Sequence, residues 1–351
     1  MRRWLWLLAA LGTAGCDNSN GTTPPPFGVV IGPGGGQLTV GTGLLQLDVP
    51  PGAVAVDTRF AISEVDPDPV PGWFAASPAF RFDPQPFAFA VPATITMPYS
   101  TEEVSVAVAN SELRVAFRRA PGAAVEPQVP LFAGSGIAQL QTSSLGAFWV
   151  LAPDVVDADS LWPLGNNDSY TYDSGLVLDV ARTATEPNIA PLNVAKVTLT
   201  DGGIATGIYF DDRTNQLALR GTFDGTALQE VWAASALLIS TRDPVGSERS
   251  SAGTLSGFRP LGQTTASYTG VSEAATAIVA REHTNTLLGT FLTVHVALAI
   301  DSSNTELEQR SQRLELWFAR RIGPVAIRRT PGGPIERLAA GTVGGTPLTP
   351  R

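Results

Sequence analysis

Cysteine occurs once in the 351 residues, at Cys16, so no disulfide can form within the chain. Lysine also occurs once, at Lys196, and the remaining basic residues are all arginine, a bias that reads as genome composition rather than function. Charged residues make up only 16% and the net charge is −9 with no basic patch set against it, which argues against nucleic acid as a partner. Histidine is confined to His283, in the segment REHTN, which is expected to be a turn, and His295, on a strand expected beyond it. That spacing is not that of a zinc site on a helix, so both are expected to be solvent-exposed or hydrogen-bonded, and no metal or other cofactor is expected. There is no G-x-S-x-G elbow from which to propose a hydrolase nucleophile. The runs PGGG at Pro33–Gly36 and PGG at Pro331–Gly333 lack the helix and lysine of a phosphate loop and read as turns.

What the chain has in quantity is glycine (35) and proline (28), which suits many short strands joined by turns. Its length is comfortable for two domains of about 100–200 residues each. The side-chain period is two almost wherever it can be read. Leu45, Leu47 and Val49 alternate with Gln46 and Asp48, and Leu292, Val294, Val296, Leu298 and Ile300 alternate with Thr293, His295, Ala297 and Ala299. The fold class expected is therefore all-β, with a first domain over 28–153, a linker at 154–160 (DVVDADS), a second domain over 161–345 and a tail at 346–351.

Residues 1–16 have the zones of a secretory signal: Arg2 and Arg3, the apolar run Trp4 to Leu11, then small residues up to Cys16. The apolar run is too short for a permanent membrane span. Cys16 after Ala14-Gly15 resembles the modified cysteine of a bacterial lipoprotein signal, with Thr13 standing where leucine is usual. The resemblance implies a protein held to a membrane by lipid on Cys16, in the cell envelope, facing periplasm or cell surface; the alternative is an ordinary cleaved signal. Residues 17–27 (DNSNGTTPPPF) then form a polar, proline-rich tether.

The stretch Ile31 to Ile62 reads as strand, glycine turn, strand, Pro-Pro-Gly corner and strand. Gly35, Gly36, Leu38, Leu47, Val49, Pro50, Pro51, Gly52 and Ala53 resemble the signature of the ZU5 domain family, which implies a ZU5-like β-sandwich acting in protein interaction or as a spacer. A generic sandwich with the same corner is the alternative. Some relatives of that architecture cleave themselves at a His-Phe-Ser motif; Ser144, Leu145 and Gly146 stand there instead, so self-cleavage is not expected. Further strands are expected at Phe60–Val65, Ala79–Phe82, Ala93–Met97, Val104–Ala109, Leu113–Phe117 and Ala147–Leu151.

The second half carries Trp162, Pro163, Leu164, Gly165, Asn166, Tyr170 and Tyr172, then Gly289, Thr290 and Phe291, then Trp317, Phe318, Ala319, Ile322, Gly323 and Val325. In order and spacing these are similar to a group of bacterial envelope proteins whose domains are open half-barrels like those of lipoprotein carriers. The resemblance implies a curved antiparallel sheet over 161–345, with its concave face available to a hydrophobic small molecule or a protein partner. Strand segments are expected at Gly207–Leu219, Leu287–Ile300, Arg313–Phe318 and Ile322–Arg328. One or two short helices are expected, at Ala227–Ile239 and Ser272–Arg281, with buried strand as the alternative for each.

Three features remain as candidate chemistry. Asp66 and Asp68 read as a solvated turn rather than calcium ligands, Asp211, Asp212 and Asp224 as acidic turn formers flanking strands, and Trp73, in PVPGWF, as core packing or a platform for a sugar or partner protein. The function expected is that of a non-catalytic envelope lipoprotein serving as a protein-interaction or ligand-binding module. The rival is a hydrolase of envelope polymers in the second domain, which needs a histidine or a carboxylate pair lining a pocket.

Overall fold

A computed structural model describes residues 27–350 apart from 42–43, 163, 184–185, 187, 190–193, 214–215, 226, 241 and 307. The expected signal, Cys16, most of the tether and Pro163 lie outside the described residues. The fold is nearly all-β, with 64% of residues in strands and 2% helical. The chain divides into two compact units, with the boundary at Asp154–Val155 and with Ser105–Ala107 grouping with the second.

Unit 1 is a sandwich of two antiparallel sheets built from β1 (Phe27–Ile31), β2 (Gly36–Val40), β3 (Leu45–Val49), β4 (Thr58–Val65), β5 (Trp73–Ala75), β6 (Ala79–Asp83), β7 (Ala88–Pro98), β8 (Arg114–Arg118), β9 (Glu126–Gln128), β10 (Phe132–Gly134), β11 (Ile137–Ser144) and β12 (Ala147–Pro153). One sheet runs β1-β4-β6-β12-β8-β9 with β5 beside β12, and the other runs β10-β11-β7-β3-β2. Their facing sides supply one core, in which Leu47, Phe60, Phe82, Ile95, Val115 and Phe148 are all buried. The glycine turn and the proline corner meet in space. Gly35 has φ +80°, and a Cβ there would lie 2.7 Å from the Val49 carbonyl and 2.8 Å from the Pro51 nitrogen. The Gly52 amide then donates to the Pro33 carbonyl at 2.8 Å. Val104–Ala109, expected as a strand, is a series of bends and turns that pairs with no strand among the described residues, so its alternation has no sheet to serve.

Unit 2 contains β13 (Val155–Val156), α1 (Ala158–Leu161), β14 (Ser169–Tyr172), β15 (Val177–Thr183), β16 (Val194–Asp201), β17 (Ile204–Arg213), β18 (Gln216–Asp224), β19 (Leu228–Ile239), β20 (Asp243–Pro244), β21 (Glu248–Phe258), β22 (Tyr268–Thr286), β23 (Gly289–Asn304), β24 (Gln309–Ala319), β25 (Gly323–Arg328), β26 (Glu336–Val343) and β27 (Thr346–Pro347). The segment expected as a linker thus ends in a short strand and the turn of helix α1. The expected tail begins with β27, which pairs with β26.

The large sheet is antiparallel throughout and strongly curved. Its order, β14-β15-β16-β17-β18-β19-β21-β22-β23-β24-β25-β26, returns to β14, so the curvature carries further than an open half-barrel requires and twelve strands form a ring. Every strand of that ring sends apolar side chains into one core, among them Tyr172, Val197, Phe210, Trp232, Val296 and Phe318. Core residues point inward while charged residues such as Arg313 and Glu315 stand on the outer face, the reverse of the polarity of a membrane-spanning barrel.

Both segments expected as helices are strands. In β19, Leu228 and Trp232 enter the central core while Val231 joins a second cluster with Ile189, Tyr209, Phe223 and Phe258 on the other face, so apolar residues on both sides imitate helical spacing. In β22 the inward positions 272, 274, 276 and 278 are serine, alanine, threonine and isoleucine, and the small residues mask a plain alternation.

Candidate functional site

The inner face of the ring, where a hydrophobic ligand is expected from the sequence, is occupied by the unit's own side chains. Trp162, just after α1, lies with its ring 5.6 Å from that of Phe210 on β17 and 5.4 Å from that of Phe318 on β24. Those strands are not neighbours, so the indole bridges the ring from within. Of the residues that carry the resemblance in the second half, Trp162, Tyr170, Phe318, Ile322 and Gly323 meet here. The Tyr170 hydroxyl donates to the Ile322 carbonyl at 2.6 Å, and that of Tyr172 to the Pro324 carbonyl at 2.9 Å. Their role is to hold the first strand of the ring to the start of β25 and the residue before it. Burial pushes both phenols well above the usual tyrosine range, helped for Tyr170 by Asp168 and for Tyr172 by Tyr170 and Glu336.

The other residues singled out from the sequence are scattered. His283 is exposed. His295 stacks on Trp317 at 4.3 Å, with Nε2 3.0 Å from Glu315 and Nδ1 3.6 Å from Glu282. Glu282 also accepts from the Trp317 indole at 2.7 Å and Glu315 from Arg328 at 2.9 Å, so the imidazole is a member of an outer-face network of charges. Asp66 is exposed and Asp68 pairs with Arg118. Trp73 packs with Ala79, Ala116, Trp149 and Leu151 in a satellite core of the sandwich. Asp211 is buried and accepts from the Ser235 hydroxyl at 2.6 Å, whereas the Asp212 side chain lies outside the described residues. Among the described residues no group of three metal-ligating side chains converges.

Two concavities of unit 2 are lined by described residues. One, of about 450 Å³, lies on the outer face of β21 to β25, floored by Ala275, Ala277, Ala297 and Ala299. The arginines around it are already matched: Arg313 to Asp301 at 2.8 Å, Arg328 to Glu315 at 2.9 Å and Arg249 to Asp243 at 2.7 Å. The Arg313 hydrogen bond lowers the Asp301 pKa. Burial would raise that of Asp243, but the Ser240 amide and hydroxyl together with Arg249 outweigh it. Although the Nε of Arg249 and of Arg328 is buried without a partner among the described residues, each of these guanidiniums already hydrogen-bonds a carboxylate, which leaves the trough less to offer an incoming group.

The second, of about 310 Å³, is at one mouth of the ring, where the inward positions change from apolar to polar. On β18 and β19 the inward residues there are Thr222, Asp224, Leu228 and Glu230. On β23 and β24 they are Ile300, Ser302, Arg310 and Gln312. Glu230 is 4% exposed and accepts from the Tyr268 hydroxyl at 2.6 Å and the Ser302 hydroxyl at 3.0 Å. Burial, then the Glu230 carboxylate, drives the Tyr268 pKa upward against the opposing pull of Arg310 and Arg259. Arg310 is the group left over. It reaches Glu308 only to 3.9 Å and Asp224 only to 4.0 Å, beyond hydrogen-bond range, and its Nε is buried without a partner among the described residues. A guanidinium with open donors, a buried oriented carboxylate and a small apolar floor make this the candidate binding site.

Of these residues sequence reasoning singled out only Asp224, and as a turn former. Glu230 was hidden inside the segment expected as a helix, and Arg310 in a polar stretch without periodicity. Continuing the two-residue alternation past Ile300 to Ser302, and along Leu228, Glu230 and Trp232, would have placed polar groups at inward positions. Compared with known proteins, the chain matches no family model and no curated protein.

Proposed function

We propose that this chain is an exported binding protein of the cell envelope, held to a membrane by lipid on Cys16, with a ZU5-like sandwich as spacer or protein-interaction module and a second unit that takes a small polar ligand at the mouth of its ring. The single observation that carries the ligand site is Arg310, whose open donors face a pocket shared with Asp224 and Glu230. Burying an arginine nitrogen without an acceptor costs free energy on the order of 1–3 kcal/mol, which a ligand acceptor would recover. The anchor is supported by the zones of residues 1–16 and by the position of the one cysteine.

A hydrolytic reading is favoured by a different fact: Asp224 and Glu230 are two carboxylates lining one pocket, as glycoside cleavage requires. Against it, Glu230 accepts two hydroxyl hydrogen bonds, an arrangement suited to an acceptor rather than to a proton donor. The binding reading is tested by native mass spectrometry and ligand-observed NMR on the full chain with a panel of small polar molecules. Association without turnover supports it; turnover lost in Glu230→Gln transfers the site to the hydrolytic reading, and no association removes it. The anchor is tested by labelling cells with a radioactive fatty acid. Label in the chain that is lost in Cys16→Ser, with release from the membrane fraction, is the expected result.

A further inference from the structure

We infer, building on the reading of the ring mouth as a binding site, that its ligand is a neutral polyhydroxylated molecule, a saccharide unit presenting adjacent hydroxyls. The argument begins with charge. Asp224, Glu230 and Arg310 all line the pocket, and Glu308 stands 3.9 Å from Arg310. A small anion bound to Arg310 meets three carboxylates, and a small cation bound to the carboxylates meets the guanidinium. A neutral ligand meets neither conflict, provided each of its polar groups both donates and accepts.

Hydroxyls do both. The 4.0 Å gap between Arg310 Nη1 and Asp224 Oδ2 is too wide for a direct hydrogen bond, but a ligand hydroxyl there accepts from the guanidinium and donates to the carboxylate. Glu230 offers the same service deeper in. Its Oε1 is taken once by Tyr268 and its Oε2 once by Ser302, which fixes the carboxylate's orientation and leaves a further acceptor site on each oxygen. The walls repeat this chemistry, because Thr206, Thr222 and Gln312 each carry a side chain able to donate and accept. Leu228 and Ile300 supply the apolar surface on which the C–H face of a sugar ring rests. The volume, about 310 Å³, is at the small end of ligand pockets and suits one ring rather than a long acyl chain.

The test is saturation-transfer NMR on the full chain with N-acetylglucosamine, glucose and maltose, set beside glutamate, spermidine and inorganic phosphate. Saccharide signals are expected to receive saturation. Arg310→Gln, which changes a side chain 40% exposed and spares the core, is expected to weaken the association by about tenfold or more. Arg313→Gln, on the outer face, should leave it unchanged. A second variant, Thr222→Val, keeps the shape of a wall residue while removing its hydroxyl and should weaken binding as well. Saccharide association untouched by Arg310→Gln and Thr222→Val overturns the inference. Association of glutamate, spermidine or phosphate in place of the sugars overturns it while leaving the ring mouth as a binding site. Silence from the entire panel removes both.

Discussion

Gly323 shows how closely single residues are specified in the ring. Its φ is +103°, and a Cβ there would stand 2.5 Å from the Tyr170 hydroxyl and 3.2 Å from the Trp162 ring. Gly323→Ala should therefore combine backbone strain with a collision against a buried hydrogen-bonded phenol, a loss of about 2–4 kcal/mol by urea unfolding. Tyr170→Phe should lose about 1–2 kcal/mol, the worth of a buried hydrogen bond to a carbonyl left unpaired. Because the two share one contact, the double variant should lose less than the sum of the single ones. Lys196 gives a milder case. Its ammonium lies 4.7 Å from the centre of the Phe223 ring and 5.5 Å from that of Tyr209, and bonds Glu186 at 3.2 Å. Lys196→Met keeps the stem and removes the charge. With a quarter of the side chain exposed, the expected loss is about 0.5–1.5 kcal/mol, reduced further in high salt, measured in the same assay.

At the scale of elements, closure of the ring depends on β14 meeting β26, and Asp168 is the pin beside that seam. Its side chain is fully buried and accepts from the Gly165 and Gly344 amides, each at 2.8 Å, tying the entry of β14 to the turn after β26. Asp168→Ala leaves two backbone donors without their acceptor, so a loss of about 2–4 kcal/mol is expected. Hydrogen exchange gives the more specific readout: amides of Glu336–Val343 and Ser169–Tyr172 should lose protection before those of β22 and β23. Protection lost uniformly would show that the seam is no weaker than the rest of the ring. This seam was not legible in the sequence, since its partners are some 170 residues apart and pairing leaves no local periodicity. What was legible is the alternation within strands that have one buried face, as in β3 and the stretch Val294–Ile300. The alternation fails where both faces are covered, as along Leu228–Trp232, and misleads where it has no partner strand, as at Val104–Ala109. The candidate site was poorly legible for a related reason: Glu230 and Arg310 acquire their meaning only when β19 and β24 face each other across the ring.

For the molecule as a whole, the two units carry separate cores, and four tyrosines of unit 2 provide a probe that belongs to it alone. Tyr170, Tyr172, Tyr209 and Tyr268 are all pushed above the ordinary value, first by burial. For Tyr209 and Tyr268 the acceptor carboxylates Glu186 and Glu230 add to the effect. A phenol that holds its proton more tightly in the folded state contributes stability that is intact below the unfolded value, near pH 10, and is lost as pH rises toward the folded value. The loss is roughly 1.4 kcal/mol per pH unit for each such group. Four groups acting together should exhaust the stability of an ordinary domain within about one to three pH units. Absorbance at 295 nm should therefore show these tyrosines ionising in one cooperative step above pH 10, coincident with loss of the near-ultraviolet circular dichroism of unit 2. Replacing Tyr209 by Phe removes one raised phenol, so the step should move to higher pH, provided the variant's stability at neutral pH is measured and subtracted. Independent ionisation of all four near pH 10, with the fold retained, would mean that the hydroxyls of unit 2 are open to solvent and that the packed ring, with its polar mouth, is not the structure in solution.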